Sequence, residues 1–353
     1  MKSVQSSLIL LLVAFFFIAF NSSAQAQNRE RFVISAHAGG VNAVTGPAAL
    51  RTHGNGDWQP LTIKEDLETG DVVRTGLDGR VEMLLNPGSY LRIGENSEFE
   101  LTDTSLENLE VRLVRGRAIV EVTGADDTEL LINITTPHTR MAIVRRGLYR
   151  VSVVPGDATE LIVRKGRVLL EPTHTKIKGG DKVVFSDNSF SVARLQKADK
   201  TRDNLEAWSK ERAETLARAN SRFPARALTS LIASYRSDWW LSNFSGRTGF
   251  WLFDMSAGFY TFFPFAFGWG SPYGTSYGSS FYGMIYRYPS LNWPSSTGSS
   301  GMGSGTGLGR STGAGNAGDI SNIQRAPSAN PVSEAPVRVR NVQPVNPGIV
   351  RRH

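Results

Sequence analysis

Gly274-Thr-Ser276-Tyr-Gly278 has the G-x-S-x-G spacing of a nucleophile elbow. In that motif a strand and a helix hold the serine on a strained, exposed turn, where its hydroxyl can attack a carbonyl. Here Gly, Ser and Tyr flank the match on both sides, so the spacing follows from composition. His37, His53, His138, His174 and His353 show no metal-ligand spacing, and the chain has no cysteine. No zinc site of a familiar kind is implied. Asp126-Asp127 with Glu129 lacks the loop length and glycine placement of a calcium cage and reads as a solvated turn. There is no phosphate-binding loop and no dinucleotide fingerprint. The expectation is a protein that is not an enzyme and takes no cofactor and no metal.

Aromatic residues are the other candidates. Residues 239–293 hold 20 of the 34 aromatics of the chain, set among Gly, Ser and Pro. Two readings stay open. The rings pack on the preceding domain or on one another, or they form a platform for glycan, peptide or lipid headgroups. On the second reading Trp239, Trp240, Trp251, Trp269 and Tyr273 are the binding rings. So many rings exceed what one docking groove hides, and the Gly, Ser and Pro around them argue against a separate dense core. Partial exposure is therefore expected.

The elements that would position any such site are strands. From Leu67 to Leu101, short apolar/polar alternations are broken by Gly70-Asp71, Asp78-Gly79 and Pro87-Gly88. Val81, Met83 and Leu85 point one way, and Leu91, Ile93, Phe99 and Leu101 repeat the period of two. This is the strand-turn-strand signal. Asp78-Gly79 is the sharpest turn, with φ > 0 expected at Gly79. Turn signals then recur about every 8–12 residues, the spacing of an all-β sandwich or barrel. Gly116 and Gly166 mark two of these turns. There is an internal echo: Gly70-Asp71-Val-Val matches Gly180-Asp181-Lys-Val-Val, and the run around Arg115-Gly116-Arg117 matches that around Lys165-Gly166-Arg167. Asp71 and Asp181 read as turn caps. The fold class is all-β, either a compact β-solenoid or a double-wound β-sandwich.

The order Leu67, Gly70-Asp71, Thr75-Gly76, Asp78-Gly79-Arg80, Gly88-Ser89 and Ser97 resembles the FecR domain, over roughly Ile34 to Val192. The resemblance implies the periplasmic sensing part of iron-uptake regulators, which recurs in many exported bacterial proteins, and it favours the solenoid-like reading. Regulators of that family carry a cytoplasmic helix bundle and a membrane span ahead of the domain. Here a cleavable signal is expected in that place, so anti-sigma activity is not implied.

That signal is read from Lys2, the apolar run Leu8 to Phe20 and the small-residue site Ala24-Gln-Ala26. The run is short for a membrane span, which needs about 20 residues. The expected organisation is a signal peptide at 1–26, a β domain at 27–198, a helical segment at 199–238, the aromatic segment at 239–293 and a disordered tail at 294–353. Asp203 with Glu206 has capping-box spacing, and Leu205, Trp208, Arg212 and Leu216 follow at helical intervals. The Gly/Ser/Pro-rich tail has too few large apolar residues to offset ordering entropy.

Of the net charge of +7, residues 28–200 contribute 23 basic against 24 acidic groups, and residues 294–353 contribute 6 against 2. A folded region so balanced is not a nucleic-acid binder. Arg115, Arg117, Arg145 and Arg146 read as solvated strand faces. Two functions follow. One is an exported interaction module docking a partner by edge-strand pairing or through its aromatics. The other is a structural or adhesive envelope protein, holding surface polysaccharide through the aromatic segment and basic tail. Both place the mature chain in the periplasm or outside the cell, with no span remaining. Sequencing the N-terminus of the exported protein should find Gln27, or a start within a residue or two of it. An intact Met1 on membrane-bound protein would indicate an uncleaved anchor.

Overall fold

Alternating apolar and polar residues between glycine-marked turns form nineteen strands among the described residues. The computed structural model describes residues 32–280, except 36, 55, 64, 125–128, 155, 172, 187–188, 198, 200–202, 225, 227, 230–247, 266–267 and 279. The signal peptide, Trp239, Trp240, Asp126-Asp127 and the tail at 294–353 lie outside the described residues. The strands are β1 (Phe32–Ser35), β2 (Val41–Thr45), β3 (Ala48–Arg51), β4 (Gln59–Pro60), β5 (Val72–Thr75), β6 (Arg80–Leu84) and β7 (Ser89–Ile93). Then come β8 (Glu98–Asp103), β9 (Glu110–Val122), β10 (Glu129–Thr135), β11 (Arg140–Arg145), β12 (Gly147–Val154) and β13 (Ala158–Lys165). They continue with β14 (Arg167–Glu171), β15 (Thr175–Lys178), β16 (Asp181–Ser186) and β17 (Ser189–Arg194). The helix α1 (Asn204–Ser221) and strands β18 (Gly249–Asp254) and β19 (Phe259–Pro264) follow.

Strand β9 joins the halves of a sixteen-stranded sheet. Its first half pairs with β8 and, in parallel, with β10. Its second half pairs with β7 and β12. The change of partners falls at Gly116, at φ 89°. A Cβ there would lie 2.1 Å from Ser97 Oγ, so only glycine fits. Val111 and Leu113 from one half of β9, and Val120 and Val122 from the other, lie in one hydrophobic core with Met83, Phe99 and Met141. The protein is mostly β. The sheet path runs from β15 to β17 and does not close into a barrel.

The repeated turns are alike in structure. Asp71 accepts the backbone N–H of Glu68 (2.9 Å), three residues back, and Asp181 accepts that of Lys178 (3.3 Å) in the same relation. Asp71 also accepts His53 N–H (2.8 Å). Gly70, Gly88 and Gly166 have φ of 91°, 92° and 99°. The Asp78-Gly79 turn corrects one expectation. Asp78, not Gly79, takes the left-handed conformation, at φ 59°. Asp tolerates it because its short side chain bonds locally. Gly79 is needed for another reason, since a Cβ would fall 2.2 Å from the carbonyl oxygen of Pro47.

Asp203 caps α1 by accepting Glu206 N–H (2.9 Å). The reciprocal half of the expected capping box is not made, because the Glu206 carboxylate reaches Arg164 instead (2.6 Å). The second helical stretch expected after Pro224 falls largely outside the described residues. Strands β18 and β19 form a hairpin whose third strand is β1, with Phe32 opposite Asp254 and Ser35 opposite Trp251.

The Gly79 contact gives a test in urea denaturation. Gly79→Ala should cost about 1–3 kcal/mol through the forced backbone shift. Asp78→Gly should change stability by no more than about 1 kcal/mol, since glycine accepts the same φ. Equal losses would show that backbone conformation, not the Pro47 contact, selects glycine here.

Candidate functional site

Glu82, Arg92 and Glu121 each sit between two apolar residues of a strand: Val81 and Met83, Leu91 and Ile93, Val120 and Val122. The apolar neighbours enter the core, so period two turns the three charges to the opposite face. Register places Glu82 directly across from Arg92, and Tyr90 across from Glu121. A face so charged belongs in water, yet all three residues are fully buried. Helix α1 covers them through Ser209 and Arg212, with Tyr273 bonded to Ser209.

Burial is made possible by pairing. Arg92 Nε donates to Glu82 Oε2 (2.7 Å), and its Nη1 donates to Glu121 and to Ser209 Oγ of α1 (2.9 Å). Arg212 Nη2 donates to Glu82 Oε1 (2.7 Å), which also accepts Asn42 Nδ2 (2.8 Å). Two carboxylates face two guanidiniums, so the cluster is neutral. Burial would raise the Glu82 pKa, but Arg92, then Arg212, outweigh it and hold the carboxyl at about 2. Tyr90 and Tyr277, hydroxyl to hydroxyl at 3.3 Å, are pushed well above the ordinary tyrosine range, chiefly by burial. Their hydroxyls therefore stay protonated and serve as hydrogen-bonding groups.

The helix docks through a polar stripe at three-residue spacing. Asp203 meets Arg117 (3.0 Å) and Arg150 (3.3 Å), Glu206 meets Arg164, Ser209 meets Arg92, and Arg212 meets Glu82. Leu205 packs with Ile119 and Leu148, and Leu216 with Leu84 and Trp251. Sequence reasoning missed Glu82, Arg92 and Glu121. The signal for them was an ionic residue flanked on both sides by large apolar residues in each of three strands.

The aromatic segment is placed differently from expectation. Trp251 is fully buried, with ring centroids 5.0 Å from Tyr90 and 5.8 Å from Phe262. Trp269 is buried against Phe262. Tyr273 is half-buried and donates its hydroxyl to Ser209 Oγ (2.8 Å). The platform reading is therefore corrected at Trp251 and Trp269, which are buried as the packing reading has them. Leu84 and Tyr90 give the rings an apolar seat, and β1 satisfies the backbone of the hairpin, so a small second core forms. Gly88 lies at the seam, where a Cβ would meet Thr123 Oγ1 at 2.6 Å and Phe262 at 3.1 Å.

Ser276 bridges to Gly270 within a small hairpin at Trp269 to Tyr277, not on a strand-to-helix elbow. Among the described residues no group of three or more His, Asp or Glu side chains is placed to hold a metal. Arg115 pairs with Glu98 (3.4 Å), and Arg117 with Glu95 and Asp203, so these arginines are engaged on the strand faces. No described helix is long and apolar enough to cross a membrane.

One strand stands apart. All six residues of β17 are exposed, including Phe190 at 40 % and Val192 at 49 %. Strand β17 pairs with β16 on one side, and its other edge is free among the described residues.

Residues 71–169 match the family described as FecR protein. No curated protein matches the chain. Two crystal structures, each of a candidate anti-sigma factor from Parabacteroides distasonis ATCC 8503, are similar to it. One is 10 % identical with a TM-score of 0.30, over 40 % of this chain and 64 % of that one. The other has the same identity and TM-score, 10 % and 0.30, over 43 % of this chain and 73 % of that one. The chain thus spans under two thirds of the length of the first.

The ionic cluster predicts a pH dependence. The folded pKa of Glu82 lies below its unfolded value, so its contribution is complete above pH 4.5 and fades as pH falls toward about 2. Thermal melts from pH 6 to 2 should show this loss, and Glu82→Gln should flatten it. Arg92→Met, which strands the buried Glu121 and leaves Glu82 to Arg212, should cost about 3–5 kcal/mol at pH 7.

Proposed function

We propose that this chain is a non-catalytic, exported interaction module, built on a FecR-type β domain, that senses or docks a protein partner by strand addition along β17. The carrying observation is the open edge of β17, with Phe190 and Val192 exposed beside it. A free edge offers a row of backbone donors and acceptors to an extended partner strand, while alternate side chains supply selectivity. The FecR match over 71–169 supports a sensing or signalling class. The signal-peptide reading supports a periplasmic or secreted location. We read the doubled sheet as a double-wound sandwich rather than a solenoid, because both halves of β9 share one core.

The second reading is adhesion to envelope polysaccharide. It is favoured by the basic tail, with 6 basic against 2 acidic groups over 294–353. Trp239 and Trp240 are the platform rings left for it.

A photo-crosslinking residue at Ser191 in the mature, full-length protein tests the first reading in native cells. A protein adduct is expected, and Val192→Lys should abolish it, because an inserted lysine blocks edge pairing. No adduct at Ser191, with polysaccharide adhesion lost on deletion of 294–353, would favour the second.

A further inference from the structure

The large sheet has four edge strands among the described residues: β2, β4, β15 and β17. Three are blunted. On β2, Asn42 clasps the backbone of Tyr260, accepting its N–H (2.6 Å) and donating to its carbonyl (3.1 Å). Strand β4 ends in Pro60, which has no N–H to offer. Strand β15 exposes Lys176 and Lys178. Strand β17 has no such device. From Ser189 to Ala193 it carries no charge and no proline, and Arg194 is held by Asp181 on the neighbouring strand at 2.8 Å.

We infer that the occupant of this edge is a second copy of the chain, paired antiparallel β17 to β17 about a two-fold axis. The inference rests on the reading of β17 as the docking edge and names its partner. The side-chain pattern supports it. Phe190 lies opposite Phe185, and Val192 opposite Val183, so both are on the core-facing side of the sheet. The ring of Phe190 touches that of Phe185 at a centroid distance of 5.8 Å. A two-fold axis perpendicular to the sheet keeps that side facing the same way in both copies. Residues directly opposite each other share a face. Phe190 can therefore oppose Val192, or Val192 can oppose its own mate, whereas Phe190 cannot oppose Ala193. In either allowed register the four apolar side chains form one patch continuous with Phe185. Ser189, Ser191 and Ala193 lie together on the other face.

Charge favours the same occupant. A neutral strand meets its copy without like-charge repulsion, and it offers no free charge for an acidic or basic partner strand to read. The contact is isologous, so it uses up both edges and closes at the dimer instead of growing into a fibre. A stable dimer commonly buries about 800 Å² per partner. A single six-residue strand falls short of that, so the dimer should be weak and dependent on concentration.

The absence of cysteine gives a clean reporter. The mature full-length chain is studied by sedimentation over a wide concentration range, and single-cysteine variants Ser191→Cys and Val192→Cys are oxidised. The expected result is a sedimentation coefficient rising with concentration for the wild type. It should be lost in Val192→Lys, a variant whose exposed site should leave the thermal melt unchanged. One of the two should give a disulfide-linked dimer, Ser191→Cys where Phe190 opposes Val192 and Val192→Cys where Val192 opposes its mate, since centred opposite residues lie near bridging distance. If Val192→Lys does not fold, the cysteine variants decide alone. A wild type that stays monomeric, or a dimer that persists in Val192→Lys with neither cysteine linking, overturns the inference. A monomer that still gives a Val192-dependent adduct with a different protein in cells removes the second copy and leaves the edge reading standing. No adduct of any kind removes both.

Discussion

Arg92 carries a full positive charge and has no exposed surface. Such a group is tolerated only when its charge is matched on site, and here Nε and Nη1 both donate within the cluster. Glu82 and Glu121 supply the match, but they create a second demand, since two carboxylates exceed one guanidinium. Arg212 meets it from the helix. The sheet therefore cannot bury this face alone, and α1 completes a charge balance that the strands leave open. Sliding α1 by one turn would separate Arg212 from Glu82, Glu206 from Arg164 and Asp203 from Arg117 together. Replacing the cluster with apolar residues need not weaken the fold, since buried ion pairs are often no better than good packing. What the cluster confers is a single allowed seating for the helix.

The same alternation builds the core and the cluster. A one-residue slip in β6 or β7 would drive Glu82 or Arg92 into the hydrophobic interior and Val81 or Leu91 out of it. Glycine contacts guard against that slip. The Pro47 carbonyl is seated at Gly79 and Ser97 at Gly116, at distances no Cβ would permit. Register is thus held by steric contact at the turns and by charge between them, and the two agree, as foldable sequences require.

Local features were legible in the sequence, and distant pairings were not. Strands and turns could be read because period two and Gly-Asp signals are local. The Asp203 cap could be read as well, since the cap and its N–H donor are three residues apart. The reciprocal half of the capping box failed because Arg164, far along the chain, competes for Glu206. The expected partial exposure failed at Trp251 and Trp269 for the same kind of reason. The Gly, Ser and Pro content of the aromatic segment speaks against a core, but Phe32–Ser35 pairs with Trp251–Asp254 and closes a small sheet around the rings. No local window contains both partners. Glu82, Arg92 and Glu121 were visible as charges flanked by apolar residues, but their mutual distances became known only through register.

These placements bear on where a partner can bind. A β domain with one face on its core normally leaves the other to water, and that face is then free for recognition. Here α1 and the β18–β19 hairpin pack on the outer face at β6, β7 and β9, over a charge-balanced ionic cluster and a small aromatic core. A ligand seeking that face would have to break several ion pairs at once. Among the described aromatic residues, Trp251, Phe262, Trp269 and Tyr277 are turned inward beneath that cover. What stays open is thereby at the edges, and among the described edges of the large sheet β17 is the strand whose hydrogen-bonding groups and apolar side chains both remain exposed.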